Sequence, residues 1–385
     1  MKNRLFISLI LSLTIAKSDA ITSSFYSDAL GFDSYFEIVL PPSYESNPDS
    51  LYPTIYFLHG FGADYSWYVS LVDVFESMMA SGEIREAILV KPDGFVLPYL
   101  GSMYTNSEYN GQFEDNIIEG LIPHIDSTYQ TIQDPKFRAI MGHSMGAYGA
   151  VKLSIKFPEL FNTSVSHSGP IALENIIPDL LPVLLEETGI FGYLPWNGVV
   201  SLFMYSASAA FSPDVEDWPY YVDLPVDYYG EVIDEVWQLW LGHDPLTLAE
   251  DNQENIQAIR FYMDCGDSDE YLFYNHSDSF SEFLDDQGIF YEYEAYAGDH
   301  VTEILNGDRF PSSLAFIESS FQWFDVFQYL GDIDGDGDIT LADLSYLLQI
   351  IFQTVEPTEQ QISRSDLNFD NTLNVFDILM LADQL

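Results

Sequence analysis

The chain has 385 residues, 47% of them hydrophobic, which is enough for a substantial core and suggests one large domain with a smaller companion. Its 61 acidic residues against 12 basic ones give a formal net charge of −49, excluding an electropositive stripe for a nucleic-acid backbone or an anionic membrane surface. Cys265 is the single cysteine, so no internal disulfide is possible, and its expected role is that of a small buried hydrophobe.

The chain opens with Lys2 and Arg4, an apolar run over residues 5–15, and small residues at Ser18 and Ala20, the pattern of an export signal over residues 1–20. That run is too short to span a membrane, and no later segment is long and apolar enough either. A secreted protein is expected. From Leu51 onward β-rich and helical patterns alternate, which predicts an α/β sheet with helices on its faces. Strand patterns fall on residues 53–58, 86–91, 137–141, 260–265 and 290–297, and helical ones near 116–125, 147–157 and 277–286. Over residues 171–258 the regularity fails, and the segment reads as an insertion, or cap, over the carboxyl edge of the sheet. Its aromatic residues, Trp196, Trp218, Tyr220, Tyr221, Tyr228, Tyr229, Trp237 and Trp240, suit either stacking on a sugar or phenolic group or a small core of their own.

Gly142-His143-Ser144-Met145-Gly146 fits the Gly-x-Ser-x-Gly pattern of a nucleophile elbow. The bare pattern arises by chance on the order of once in ten chains of this length, so its context carries the argument. It follows the strand at 137–141 and opens the helical run stopped by Pro158, the strand–turn–helix setting in which a strained turn exposes a serine hydroxyl. A serine needs a base, and in this fold the order along the chain is serine, acid, histidine. Four histidines lie after Ser144, His167, His243, His276 and His300, and of these His300 follows the last strand pattern, where a loop returns over the sheet. His276 reads as a surface helix residue and His243 as part of the insertion. The acid candidates are Asp264, Asp267, Asp269 and Glu270, with Asp269 preferred for its reach from a loop and Asp264 read as a strand or turn carboxylate. Backbone amides of Phe61 and Met145 are the candidate oxyanion donors, and His59 reads as a hydrogen-bonded structural residue.

Near the C-terminus, Asp332, Asp334, Asp336 and Asp343 occupy positions 1, 3, 5 and 12 of a twelve-residue loop with Gly337 at position 6, an oxygen-rich calcium template. A second copy carries Asp366, Asn368, Asp370 and Asp377, with Asn371 in the glycine position. Asp338 and Thr372, at position 7 of each loop, complete the candidate ligand set. An apolar helical stretch follows each loop. Calcium would supply folding energy that so small an all-α module lacks.

Several segments together resemble the putative-esterase family that includes S-formylglutathione hydrolase, feruloyl esterases and mycolyltransferases. They are Leu58-His59-Gly60-Phe61-Gly62, Phe113-Glu114-Asp115 with residues 121–126, residues 138–149, residues 237–241 before Asp244-Pro245, and Gly266-x-x-Asp269. The resemblance covers about residues 25–325 and implies an α/β-hydrolase doubly wound sheet, ester hydrolysis, and the set Ser144, Asp269 and His300. Ala147 departs from it, standing where the family often has a third glycine. The paired loops, with Asp at position 12, resemble a type I dockerin, which implies a cohesin-type scaffold as partner. The expected layout is a signal peptide at 1–20, an esterase domain at 21–328 and a dockerin-like domain at 329–385. The expected activity is hydrolysis of feruloyl or acetyl esters of polysaccharides, with no cofactor for catalysis. Two rivals are a non-catalytic carbohydrate-binding or scaffolding protein on a hydrolase fold, and a serine peptidase using the same three residues.

Overall fold

The computed structural model describes residues 20–187, 194–328, 330–335, 338–367 and 372–385. The expected export signal lies outside them except for Ala20. Eight strands make the main sheet: β1 (Ile21–Ser27), β2 (Phe32–Val39), β3 (Thr54–Leu58), β4 (Ile88–Pro92), β5 (Arg138–His143), β6 (Thr163–His167), β7 (Arg260–Gly266) and β8 (Tyr291–Tyr296). Their spatial order is β1-β2-β4-β3-β5-β6-β7-β8. The first two are antiparallel to each other, β2 is antiparallel to β4, and all remaining neighbours are parallel.

Parallel strands put their carboxyl ends on one edge, so every loop leaving β3 to β8 opens on the same side. The chain steps from β3 outward to β4 and then back across to β5, so the winding reverses between β3 and β5. At that reversal the loops beginning at His59 and Ser144 diverge and leave a crevice.

The main helices are α1 (Val69–Ser81), α2 (Ile122–Thr128), α3 (Met145–Lys156), α4 (Ile176–Glu187), α5 (Val199–Phe211), α6 (Asp234–Leu241), α7 (Tyr274–Gln287), α8 (Phe310–Gln328), α9 (Leu341–Ile351), α10 (Glu359–Ser365) and α11 (Val375–Gln384), with short ones at Phe113–Asp115, Pro245–Asp251, Gln253–Ile256 and Thr302–Leu305. Strand alternation divides the core between two faces. Ile55 and Phe57 of β3 pack with Leu71 and Phe75 of α1 and Phe310, Leu314 and Phe321 of α8, whereas Tyr56 and Leu58 pack with Ile125 of α2 and Tyr148 and Leu153 of α3. Because β3 is covered on both sides, it reads in sequence as an unbroken apolar run.

Three strands, β1, β2 and β6, are absent from the sequence expectations. The residues of β6, Thr-Ser-Val-Ser-His, are buried throughout but mostly hydroxylated, so no apolar run marks them. The irregular 171–258 insertion contains, among the described residues, the helices α4, α5 and α6 and two short ones at Pro245–Asp251 and Gln253–Ile256. Its pattern failed because α4 holds Pro182 within it and α5 is buried around nearly its whole circumference, leaving no polar face to set a period. The insertion's aromatics divide. Trp240 is wholly buried and donates its indole N–H to Ser212 Oγ at 3.1 Å, whereas Trp196, Trp218 and Tyr229 are 70%, 77% and 78% exposed.

The C-terminal module is all-α, as expected. Helices α9 and α11 pack around Leu330, Ile333, Leu347, Ile350, Leu367 and Leu381, a core far smaller than that of the sheet domain.

Candidate active site

Steric necessity shapes the elbow between β5 and α3. A Cβ on Gly146 would stand 1.9 Å from the Leu58 carbonyl oxygen, and one on Gly142 would stand 2.3 Å from the Gly146 backbone. Only glycine at both positions lets α3 start this close to β3. Between them Ser144 has φ 55° and ψ −118°, outside the regions open to ordinary residues, with its amide bonded to the His167 carbonyl at 2.9 Å. Ala147 packs against Gly169, whose own Cβ would lie 2.6 Å from the Ala147 methyl, so the extra methyl occupies space that a glycine opposite leaves open.

At the carboxyl ends of β7 and β8 the chain supplies the other two groups. His300 Nε2 lies 3.0 Å from Ser144 Oγ, and His300 Nδ1 lies 2.7 Å from Asp269 Oδ2. Asp269 is buried, and it also accepts the Tyr271 amide at Oδ1 and the Cys265 thiol at Oδ2. Its two oxygens thus aim one lone pair at the imidazole. Tyr271 and Phe273 stand edge-on to the His300 ring at 4.8 and 5.3 Å between centroids, limiting its rotation.

The other candidate acids are occupied elsewhere. Asp264 is buried in β7, bonded to His167 Nδ1 at 2.8 Å and paired with Arg309 Nε at 3.2 Å. Asp267 accepts the Ser268 hydroxyl and Gly298 amide, and Glu270 accepts the His300 amide. One expectation is corrected: His276 is not on the surface. It is fully buried in α7, where Nδ1 accepts the Ala172 amide and burial pushes its pKa down to about 3. The helix period placed it on the wrong side because α7 is covered by the insertion, through Asn275 bonds to Asp179 and Asn175. His243 stacks on Phe211, and burial lowers its pKa to about 4. His59 has both ring nitrogens engaged, Nδ1 toward the Gly60 carbonyl and Nε2 accepting the Gly94 amide.

Ser144 and His300 open into a cavity of about 160 Å³. Phe61, Ala63 and Trp67 line it from the loop after β3, Leu180, Val199, Val200 and Phe203 from α4 and α5, and Tyr271, Phe273, Val301 and Leu305 from the loops after β7 and β8. No Asp, Glu, Lys or Arg is among its described lining residues, in a chain with 61 acids. The insertion therefore reaches the site through aliphatic residues and Phe203, and none of the tryptophans or tyrosines singled out in sequence lines the cavity. Nothing in the sequence pattern distinguishes these lining residues from core. Met145 opens α3, so its amide belongs to the first helical turn and has no intrahelical acceptor, while Phe61 flanks the same cavity with its ring against Phe203.

In the C-terminal module, carboxylate oxygens of Asp332, Asp334 and Asp343 converge within 4.8 Å of one another. Asp343 Oδ1 accepts the Ile333 and Asp334 amides and Oδ2 the Thr340 amide; Asp377 repeats the arrangement with Leu367 and Asn374. The position-12 aspartates thus cap α9 and α11 as well as facing the loop. Asp338 and Thr372 are exposed, Asp366 follows α10, and Asp336, Asn368 and Asp370 lie outside the described residues.

Comparison with known proteins agrees with this architecture. The putative esterase family model matches residues 27–314, and the dockerin type I domain model matches residues 330–385. An esterase of Mycobacterium tuberculosis is 29% identical over 149 residues, 39% of this chain and 32% of that protein. An endo-1,4-beta-xylanase/feruloyl esterase of Xylanibacter ruminicola is 30% identical over 147 residues, 36% of this chain and 20% of that protein. The chain thus spans about a third or less of the length of these relatives. Among solved structures, a ferulic acid esterase superposes with a TM-score of 0.57 at 19% identity, covering 79% of this chain and 98% of that one. A fluorophosphonate-binding serine hydrolase of Staphylococcus aureus gives 0.55 at 19%, covering 78% and 98%. Such distant likenesses show a shared fold, and the family match over most of the sequence shows the kinship: this chain belongs to the putative esterase family and ends in a dockerin type I domain.

Proposed function

We propose that this protein is a secreted serine carboxylesterase that hydrolyses feruloyl or acetyl esters of polysaccharides while anchored to a cohesin-bearing scaffold. The observation that carries the proposal is the unbroken line Ser144 Oγ, His300 ring, Asp269 carboxylate, with spacings of 3.0 and 2.7 Å at the mouth of an uncharged cavity. A non-catalytic protein on this fold would have no need to keep those three groups in register.

In the proposed reaction Ser144 Oγ attacks the ester carbonyl while its proton passes to His300 Nε2. The carbonyl oxygen becomes an oxyanion facing the Phe61 and Met145 amides. As the carbonyl re-forms, the bond to the alcohol oxygen breaks and that oxygen takes the proton from His300. Water then repeats the sequence on the acyl-serine, with His300 as base, releasing the acid and restoring Ser144. Asp269 holds Nδ1–H toward itself, which leaves Nε2 free to accept, and it stabilises the imidazolium. The apolar lining suits an acyl group without charge, and a cavity of this size holds the acyl group alone, leaving a polysaccharide chain outside.

Calcium fits the C-terminal loops. Three carboxylates gathered within 4.8 Å repel one another unless a cation lies among them, and oxygen donors suit a hard one. Asp332, Asp334 and Asp343, with Asp336 and Asp338 beside them in sequence, would hold the ion in the first loop, and Asp366, Asn368, Asp370, Thr372 and Asp377 in the second. Bound calcium supplies folding energy to the module and no chemistry to the ester site. The proposed domain limits are those expected, a leader at 1–20, the esterase at 21–328 and the dockerin domain at 329–385. No described helix is long and apolar enough to cross a membrane.

The test is turnover of methyl ferulate, acetylated xylan and 4-nitrophenyl acetate by wild type and Ser144→Ala, with a matched amide to separate peptidase activity. Wild-type hydrolysis with trapping of an acyl group on Ser144, lost in the variant, is the expected result. Full activity in Ser144→Ala would overturn the proposal.

A further inference from the structure

Beside the Ser144–His300 pair, at the wall of the same cavity, lies a second imidazole that the reaction above does not use. His143, the last residue of β5, is buried, and both of its ring nitrogens are hydrogen-bonded. Nε2 lies 2.8 Å from the His300 backbone carbonyl. A carbonyl only accepts, so Nε2 carries the proton and Nδ1 is an acceptor. The Tyr68 hydroxyl, 2.9 Å from Nδ1, must therefore donate to it, and it accepts in turn from the Gly60 amide at 3.1 Å. Three bonds thus run in one direction, from Gly60 N–H through Tyr68 and His143 to the His300 carbonyl. They join the loop that carries Phe61, the elbow, and the loop that carries His300.

Independent features mark this line as built. A Cβ on Gly60 would stand 2.9 Å from the Tyr68 hydroxyl and 3.2 Å from His143 Nδ1, so any side chain there would push the line apart. Tyr68 sits at φ 62° and ψ 45°, a left-handed conformation that is costly for an aromatic residue and holds only where its surroundings impose it. Burial pushes the Tyr68 hydroxyl far above the usual phenol range, while burial and the neighbouring His300 hold His143 neutral, well below its usual range. Neither group gains or loses a proton near neutrality, so the line acts as a strut and not as a proton shuttle.

The geometry points to Tyr68 and His143 as positioning residues for ester turnover. Tyr68 holds the Gly60 backbone one peptide before the Phe61 amide, and His143 pins the His300 backbone so that its ring meets Ser144. This inference rests on the reading of Ser144, His300 and the Phe61 amide given above, and it adds the part that locks them together.

The experiment compares Tyr68→Phe, His143→Phe and His143→Gln with wild type and Ser144→Ala in the full chain with calcium. The readouts are kcat and KM on 4-nitrophenyl acetate, the rate at which a fluorophosphonate modifies Ser144, and the thermal midpoint. Fluorophosphonate capture forms the Ser144 oxygen–phosphorus bond, expels fluoride and passes the serine proton to His300, so it reads the same alignment without ester turnover. Tyr68→Phe and His143→Phe are expected to lower kcat and the capture rate together by about 10- to 100-fold with KM within about threefold. His143→Gln, whose amide keeps a donor and an acceptor, is expected to recover part of the loss. Should the bulkier His143→Phe fail to fold, Tyr68→Phe and His143→Gln still decide the matter at a temperature below their midpoints. Wild-type kcat and capture rate in both, with Ser144→Ala inactive, would overturn the positioning role. So would a raised KM at unchanged kcat, which would assign Tyr68 to substrate binding. Activity surviving in Ser144→Ala would instead remove the underlying site reading.

Discussion

Two aspartates, Asp269 beside the cavity and Asp343 in the C-terminal module, are both withdrawn from solvent, and by different means. Asp269 is bonded to a ring that can carry a proton, His300, on loops anchored to a large parallel sheet. Asp343 is bonded to three backbone amides, which outweigh the upward push of burial and hold its carboxyl below the usual range. In the proposed reaction the first carboxylate orients and stabilises the His300 ring. The second is itself part of what closes a small fold. The same residue type thus faces a titratable ring in one region and backbone amides in the other.

The sharpest test of that contrast is Asp269→Asn. It is expected to lower kcat by about 10⁴-fold by presenting the wrong tautomer of His300 while leaving the thermal midpoint near wild type. A variant that unfolds instead would mean that Asp269 supports structure in the way Asp343 does.

Next comes Gly146→Ala, which forces a methyl against the Leu58 carbonyl and is expected to cost ~4 kcal/mol or more in urea unfolding along with all turnover. Here fold and function fail together, and a stable, active variant would refute the steric account of the elbow.

Calcium removal probes the other region. With a chelator, residues 330–385 are expected to become open to proteolysis while hydrolysis of a soluble ester continues unchanged. A parallel loss of turnover would show that the two regions are coupled.

The smallest expected effect concerns buried histidines. In the folded chain His243 and His276 have pKa values pushed down to about 4 and about 3, whereas unfolded they titrate near 6.5. The unfolded state therefore binds more protons between these values, and the stability of the sheet domain is expected to fall as pH drops from about 6.5 toward 4. Protonating the acidic surface relieves self-repulsion over the same range and acts oppositely. The informative quantity is thus the difference in urea midpoint between wild type and His276→Gln, which should narrow on acidification; a constant difference would contradict the assignment.

Much of this site was legible in the residues. The elbow, the Gly-x-x-Asp loop and the last-strand histidine are local signals, because tight turns demand glycine and a parallel sheet delivers its loops to one edge. The position-12 aspartates were equally visible as loop ligands, but their second role in capping α9 and α11 was not. The burial of His276 escaped, since the face of α7 it occupies is covered by helices more than eighty residues away in sequence. The strand β6 escaped because hydroxyl side chains can be buried where a sheet supplies hydrogen bonds, and they then leave no hydrophobic trace.

By itself, then, the sequence determined five of the eight strands in their order, the three residues proposed for catalysis and the two candidate calcium loops, because each depends on spacing along the chain or on the conformational tolerance of single residues. Only the tertiary structure decided which side chains line the cavity, that the insertion's tryptophans stay out of it, and that Tyr68 and His143 bind three distant loops together. Those properties depend on which surfaces meet across the sheet, and such contacts have no period or motif to announce them.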